Sequence, residues 1–213
     1  MTEFEKWYEE LQVDRTTKAL KKNNFGTKFV PKASDALEEI FKMIPEGALV
    51  GVGGSITLNQ IGFFAEAERR PIKLLNPAQK GLSPEEALQT RRQIMNADFF
   101  LSSSNAVTED GKLYNIDATG NRVAAMMFGP KHVILVCGVN KIVRNLDEAR
   151  IRVKEWVAPM NAKRLSVKTP CAETGECADC SSPQRICNIY VELVKKPSRT
   201  DFTVLLVGEH LGL

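Results

Sequence analysis

The segment ALVGVGGSIT, residues 48–57, is an apolar run of strand length followed by glycines and then by hydroxyl residues that can begin a helix. Near-continuous apolar runs are typical of strands that are buried on both faces of a parallel sheet. Similar runs recur along the chain, and helical patterns stand between them. The strand-like runs are 27–30, 72–75, 97–102, 132–137 and 201–208, and the helical patterns include 57–68, 83–95 and 146–157. This alternation predicts an α/β fold, a three-layer sandwich with a mainly parallel sheet.

Two segments lie outside the alternation. Residues 3–22 carry apolar side chains at helical spacing and predict an amphipathic N-terminal helix. The runs AVT and KLYNI flank Glu109-Asp110-Gly111, which predicts a hairpin that projects over one edge of the sheet. With 213 residues and 43% hydrophobic content, the chain predicts a single domain, 1–213.

The composition of the chain limits the classes of binding partner and the cellular location that are expected. The chain has 29 Lys and Arg against 26 Asp and Glu, a net charge of +3, and both signs are interspersed, so no basic stripe indicates nucleic acid. No apolar run approaches the ~18 residues of a membrane span. The charged N-terminus lacks the apolar core of a signal peptide, which predicts a cytoplasmic protein. A small molecule or another protein is therefore the expected partner.

Four of the five cysteines fall in one segment, residues 170–188, which is predicted to be an insertion before the last strand. Cys171, Cys177, Cys180 and Cys187 have the spacing C-x5-C-x2-C-x6-C. Such clustering predicts a metal or iron–sulfur ligand set. The cytoplasmic location makes two disulfides the weaker alternative, and four free thiols without a role are also weaker because exposed thiols are prone to oxidation. The spacing matches neither common ferredoxin patterns nor paired zinc knuckles, so the metal stays open on spacing alone.

A ligand site is expected at the carboxyl ends of the strands, where loops expose polar groups. Gly53, Gly54, Ser55 and Thr57 follow the strand 48–52 and suit a phosphate or carboxylate, although an ordinary capped turn has the same composition. Further candidates follow later strands. They are Asn105, Asn121 and Arg122 for ligand contact, Glu109 and Asp117 for acid–base work, and Asn140 with Lys141, where Lys141 either neutralises an anion or is a solvated surface lysine.

Four stretches resemble the LUD domain family, which includes lactate-utilisation proteins of the LutC type. They are GVGGSIT (51–57), SSNAVTEDGKLYNIDATGNRVAAMMFGP (103–130), VCGVNKIV (136–143) and PCAETGECADCSSPQRICN (170–188). The resemblance implies the fold of the NagB/RpiA/CoA-transferase-like superfamily. It also implies a phosphate-type group bound at Gly53, Gly54, Ser55 and Thr57, with acidic and amide groups from Asn105, Glu109 and Asp117.

Residues and resemblance together predict a redox-associated subunit that binds a small organic acid or a phosphorylated ligand and carries a cysteine-ligated centre. A [4Fe–4S] cluster is favoured, with zinc as the alternative, and a redox partner protein is expected. One alternative is an isomerase or transferase of a sugar phosphate or CoA ester, with Glu109 as base and a structural zinc. Another is a non-catalytic assembly subunit. Whether the protein is an enzyme, which organic cofactor it uses and whether it forms a homo-oligomer stay open.

Overall fold

The computed structural model describes residues 2–213 and contains ten strands in two sheets. The strands are β1 (Gly26–Val30), β2 (Leu49–Val52), β3 (Lys73–Leu75), β4 (Phe99–Ser102), β5 (Ala106–Thr108), β6 (Leu113–Asp117), β7 (His132–Gly138), β8 (Ile142–Val143), β9 (Ile189–Leu193) and β10 (Asp201–Val207). The larger sheet has the order β1-β10-β7-β4-β2-β3, and all its neighbouring strands are parallel. The prediction of a mainly parallel sheet is confirmed.

Helices cover both faces of this sheet. The α-helices of the described residues are α1 (Glu3–Lys22), α2 (Ala33–Met43), α3 (Ile56–Gln60), α4 (Phe63–Ala67), α5 (Pro84–Gln93), α6 (Asn121–Met127), α7 (Leu146–Ile151), α8 (Ala158–Arg164) and α9 (Pro170–Thr174), of which α7 packs against the smaller sheet. Because successive side chains of a strand point to opposite faces, β7 divides its residues between two cores. Ile134 and Val136 pack with α2, α3 and α4, whereas Leu135 and Cys137 pack with α1 and α6. The result is the three-layer sandwich that the sequence predicts.

The predicted hairpin is part of a second sheet that the sequence pattern did not reveal. Strands β5 and β6 pair antiparallel around Gly111, whose φ of 80° favours glycine. Strand β8 adds to β5 and β9 adds to β6, giving the order β8-β5-β6-β9. A third core lies between this sheet and the helical stretch 146–164, where Tyr114 and Ile116 pack against Val153 and Val157.

Two predicted helices differ from those observed. The pattern at 57–68 forms two short helices, because Gly62 between them adopts φ 78°, in the left-handed region that ends a helix. The pattern at 146–157 extends to Arg164, since a π-helical turn, Arg152–Val157, joins α7 to α8. The cysteine segment, residues 170–188, contains only the short helix α9 and loops before β9 begins. Across residues 2–213, no helix combines the length and the apolar character that crossing a membrane requires.

Candidate functional site

The candidate site lies at the carboxyl edge of three neighbouring strands, β2, β4 and β7. The glycine-rich loop and Thr57 follow β2, Ser103 follows β4, and Lys141 ends the short turn after β7. Parallel strands bring these three segments to one rim of the sheet, which is where open α/β sheets bind ligands.

Lys141 occupies the centre of this rim and is almost completely buried, with 4% of its surface exposed. Its Nζ donates to Ser103 Oγ at 2.8 Å and to Thr57 Oγ1 at 3.2 Å. Burial lowers the pKa of Lys141 to about 8. The nearby Cys137 thiol group opposes this shift, whereas the positive charges of Arg152 and Arg122 add to it. Among the described residues, no carboxylate offsets this charge. Lys141, Ser103 and Thr57, with Arg122 and Arg152 beside them, are called the Lys141 site below.

Arg122 is fully engaged by the protein. Its side chain is 12% exposed, and its Nε lies 3.4 Å from Asp117 Oδ2. Asp117 Oδ1 in turn accepts from the backbone amides of Thr119 and Gly120 at 3.1 and 2.8 Å. Burial lowers the pKa of Arg122, whereas the carboxylate of Asp117 opposes that shift. The other acceptors of the guanidinium are the Ser103 and Ile116 carbonyls and the Asn105 and Asn115 side-chain oxygens, at 2.7–3.0 Å.

Arg152, the first residue of the π-helical turn, is engaged at one nitrogen only. Its Nε donates to the Asn105 carbonyl across 3.4 Å, and one terminal nitrogen is buried without a hydrogen-bond partner among residues 2–213. Burial lowers the pKa of this guanidinium as well. Arg152 therefore brings a second positive charge without a carboxylate partner to the Lys141 site.

The glycine-rich loop shapes the floor of the site. A methyl group built on Gly53 would lie 2.7 Å from Ser102 Oγ and 3.1 Å from Arg122 Cγ, whereas one on Gly54 would meet nothing within 4 Å. Ser55 caps α3 by accepting from the Leu58 amide at 3.2 Å. Of the four predicted loop residues, Thr57 makes the hydrogen bond to Lys141.

The segment Gly208–Leu213 covers Lys141 from the other side. A methyl group on Gly212 would come within 2.5 Å of Thr57 Oγ1 and 2.8 Å of Lys141 Nζ, so only glycine allows this approach. Asn140 Oδ1 accepts from the Leu211 amide at 3.0 Å, and Gln60 Oε1 accepts from the Gly212 amide at 2.5 Å. Asn140 therefore holds the covering segment in place.

Two predicted residues are not joined to the Lys141 site. The carboxylate of Glu109 faces α1, where it accepts from Gln12 Nε2 at 3.0 Å and from Arg15 Nε at 2.8 Å. Asn121 begins α6 directly after Gly120. The site residues predicted from the sequence do not include Ser103, Asn115 and Arg152. Ser103 follows a predicted strand, which is a usable signal, whereas nothing in the helical pattern 146–157 distinguishes Arg152 from a surface arginine.

The four cysteines of the cysteine segment line one concave surface, together with Lys154, Ala158 and Arg185. All four are free, half-buried thiols. Arg185 connects the loop ends by donating to the Cys180 carbonyl at 2.6 Å, the Cys187 carbonyl at 3.1 Å and the Asp179 carboxylate at 2.8 Å. Thr169 Oγ1 lies 3.4 Å from Cys171 Sγ.

The four thiols line one surface but do not form the ligand geometry of a single metal ion. Within residues 2–213, no three His, Cys, Asp or Glu side chains are grouped as ligands of a single metal ion. A tetrahedral zinc needs four sulfurs at about 2.3 Å from one centre, whereas a cluster distributes its thiolates over several irons.

Comparison with known proteins places the chain in a family. The LUD domain model matches residues 13–207. No curated protein matches the sequence. Among solved structures, a DUF162 family protein from Deinococcus radiodurans has a similar fold, with a TM-score of 0.54 and 15% identity over 94% of this chain and 98% of that one. The chain belongs to the LUD domain family.

Proposed function

We propose that this protein binds a small anionic metabolite at the Lys141 site and acts as a redox-associated subunit through a centre held by the four cysteines. One observation carries the ligand half: the buried ammonium of Lys141 has only hydroxyl acceptors. A buried charge without a counter-charge is unfavourable, so an anion bound here would gain a strong electrostatic partner. An organic acid and a phosphorylated compound both supply the required charge.

The helix formed by α7, the π-helical turn and α8 supports a link between the two sites. Arg152 on this helix contacts Asn105 beside the Lys141 site, whereas Lys154 and Ala158 line the cysteine surface. A ligand and a redox centre would therefore contact residues of the same helix. This shared helix is the observation that supports electron exchange between the centre and the bound molecule.

The isomerase or transferase alternative receives less support. It needs a carboxylate that is free to take a proton from the ligand. Glu109 is held at α1 by Gln12 and Arg15, and Asp117 already accepts two backbone amides beside Arg122. Neither carboxylate is arranged as a base over Lys141.

Ligand binding can be tested by thermal unfolding with lactate, succinate, inorganic phosphate and glycerol 3-phosphate. A ligand at a hundred times its Kd adds about 2.7 kcal/mol to the unfolding free energy, roughly 5 to 10 °C in Tm for a domain of this size. We expect at least one of these anions to raise Tm, and we expect Lys141→Met to abolish the rise. Lys163→Met, at an exposed lysine of α8, is the control and should respond like the parent protein. If all four anions leave Tm unchanged, or if Lys141→Met responds normally, the proposed ligand site is refuted.

The cysteine centre can be tested on protein purified without oxygen. A cluster would give broad visible absorbance together with iron and acid-labile sulfide in equal amounts. Cys177→Ser and Cys180→Ser should each lose this chromophore, whereas Cys137→Ser, at a buried cysteine of β7, should retain it. A colourless protein with one zinc per chain would replace the cluster by a structural metal. Native disulfides between the four cysteines would exclude both centres.

A further inference from the structure

The balance of charge around Lys141 indicates which class of anion the site would bind. Three cationic side chains lie close together in and beside the buried rim: Arg122, Lys141 and Arg152. The charge of Arg122 is offset by Asp117 at 3.4 Å, and its other nitrogens have four oxygen acceptors. Neither Lys141 nor Arg152 has a carboxylate partner within residues 2–213. Two positive charges at the site are therefore uncompensated.

One terminal nitrogen of Arg152 has no hydrogen-bond partner within residues 2–213. Guanidinium groups satisfy their five donors with carboxylates, phosphates, carbonyls or water, and a buried N–H without an acceptor is unfavourable. Arg152 uses one long hydrogen bond to the Asn105 carbonyl and leaves a buried terminal nitrogen without an acceptor. An incoming oxyanion would satisfy it.

The backbone places Arg152 at an irregular part of its helix. The buried side chains of Ala149, Val153 and Val157 lie on the face of this helix that packs against the second sheet. Arg152 begins the π-helical turn, Arg152–Val157, which interrupts the regular α-helix between α7 and α8. Such turns occur often at functional sites, where the extra residue redirects a side chain.

We infer that the Lys141 site selects dianions, with Arg152 as the ligand-contacting residue that matches the second negative charge. The inference rests on the proposed anion site and names its ligand class. Phosphate monoesters and short dicarboxylates both carry two charges within reach of two neighbouring cations. The hydroxyls of Ser103 and Thr57 add two donors that either oxyanion can use. A monocarboxylate would leave one cation unmatched.

Calorimetric titration with two matched pairs of probes tests the inference. Methyl phosphate and methyl sulfate have the same shape but differ in charge, and so do succinate and succinamate. We expect the parent protein to bind the dianion of at least one pair about 10- to 100-fold more tightly than its monoanion, the range of one charge-assisted hydrogen bond. The pair that shows the preference identifies the phosphoryl or the dicarboxylate class.

Arg152→Gln should remove this preference by weakening the dianion about 10- to 100-fold while changing monoanion affinity by less than about 3-fold. Arg150→Gln is the matched control, because Arg150 lies on the same helix but pairs with Asp147 and Glu192 at the surface. Two results would overturn the inference and leave the Lys141 site intact. One is equal affinity for the dianion and the monoanion in both pairs in the parent protein. The other is an equal loss of affinity for dianion and monoanion in Arg152→Gln. If no probe binds and Lys141→Met has no effect, the proposed function itself fails.

The pH profile of the parent protein gives a readout that needs no variant. Methyl phosphate gains its second charge near pH 6, and Lys141, which faces Cys137, Arg122 and Arg152, loses its charge near its pKa of about 8. Affinity for methyl phosphate should therefore rise through about pH 6 and fall above about pH 8. Methyl sulfate should show only the fall. An identical profile for both probes would contradict dianion selection.

Discussion

Gly53 and Gly54 are neighbours in one loop, yet the surroundings of their α-carbons differ. Gly53 is enclosed by Ser102, Phe100 and Arg122, whereas Gly54 faces open space. Neither residue has a φ in the left-handed region. The difference between them is therefore purely steric, and it connects the glycine-rich loop to the hydrogen-bond network of Arg122.

This contrast predicts different results for two equal substitutions. Gly53→Ala should lower the unfolding free energy by about 1–3 kcal/mol, because the new methyl group must displace Ser102 Oγ and the Arg122 side chain. Gly54→Ala should stay within about 0.5 kcal/mol of the parent protein. Urea unfolding of the three proteins provides the measurement. Similar losses in both variants would show that backbone freedom, and not the space at Gly53, matters in this loop.

At the scale of single residues, only part of the Lys141 site could be predicted from the sequence. It selected Thr57, Arg122 and Lys141 because polar residues after neighbouring strands must meet at one edge, and the structure brings these three together. Arg152 was not predicted, because its position depends on a π-helical turn that cannot be recognised from the composition of the segment. Glu109 was selected for its charge, but its direction depends on packing against α1, which no local pattern encodes.

At the scale of elements, local patterns predicted the strands and helices of the parallel sheet better than those of the second sheet. Long apolar runs such as β7 identify themselves by length and burial on two faces. Strands β8 and β9 are short or half exposed, and they are stabilised by pairing with β5 and β6 across many intervening residues. Pairings of this kind arise from tertiary structure, so neither strand was predicted.

Global stability is coupled to Lys141 at the scale of the whole molecule. In the folded protein its pKa is about 8, against an ordinary value of 10.5. Between these two values the folded state has released a proton that the unfolded chain still holds, so the unfolding free energy rises with pH. Below about pH 8 both states are protonated, and the folded state bears the full cost of burying the ammonium.

We therefore expect Lys141→Met to be more stable than the parent protein at pH 7 without ligand, by up to about 3 kcal/mol, and to lack the rise above pH 8. Denaturant unfolding from pH 7 to 10 measures both effects. Lys163→Met should follow the parent curve, so that titration of other groups cancels in the comparison. A parallel curve for Lys141→Met would show that burial does not shift the pKa of this lysine.

The strand order also determines when the fold can form during synthesis. Strand β10, residues 201–207, lies between β1 and β7, so the first strand of the chain joins the sheet through the last one. Until those residues leave the ribosome, β7 has an unpaired edge and β1 has no partner in the sheet. Nascent chains that stop before β10 would display an apolar strand edge, the kind of surface that chaperones protect and that otherwise aggregates. The covering segment over Lys141 follows β10, so the ligand site is completed only after β10 has been synthesised.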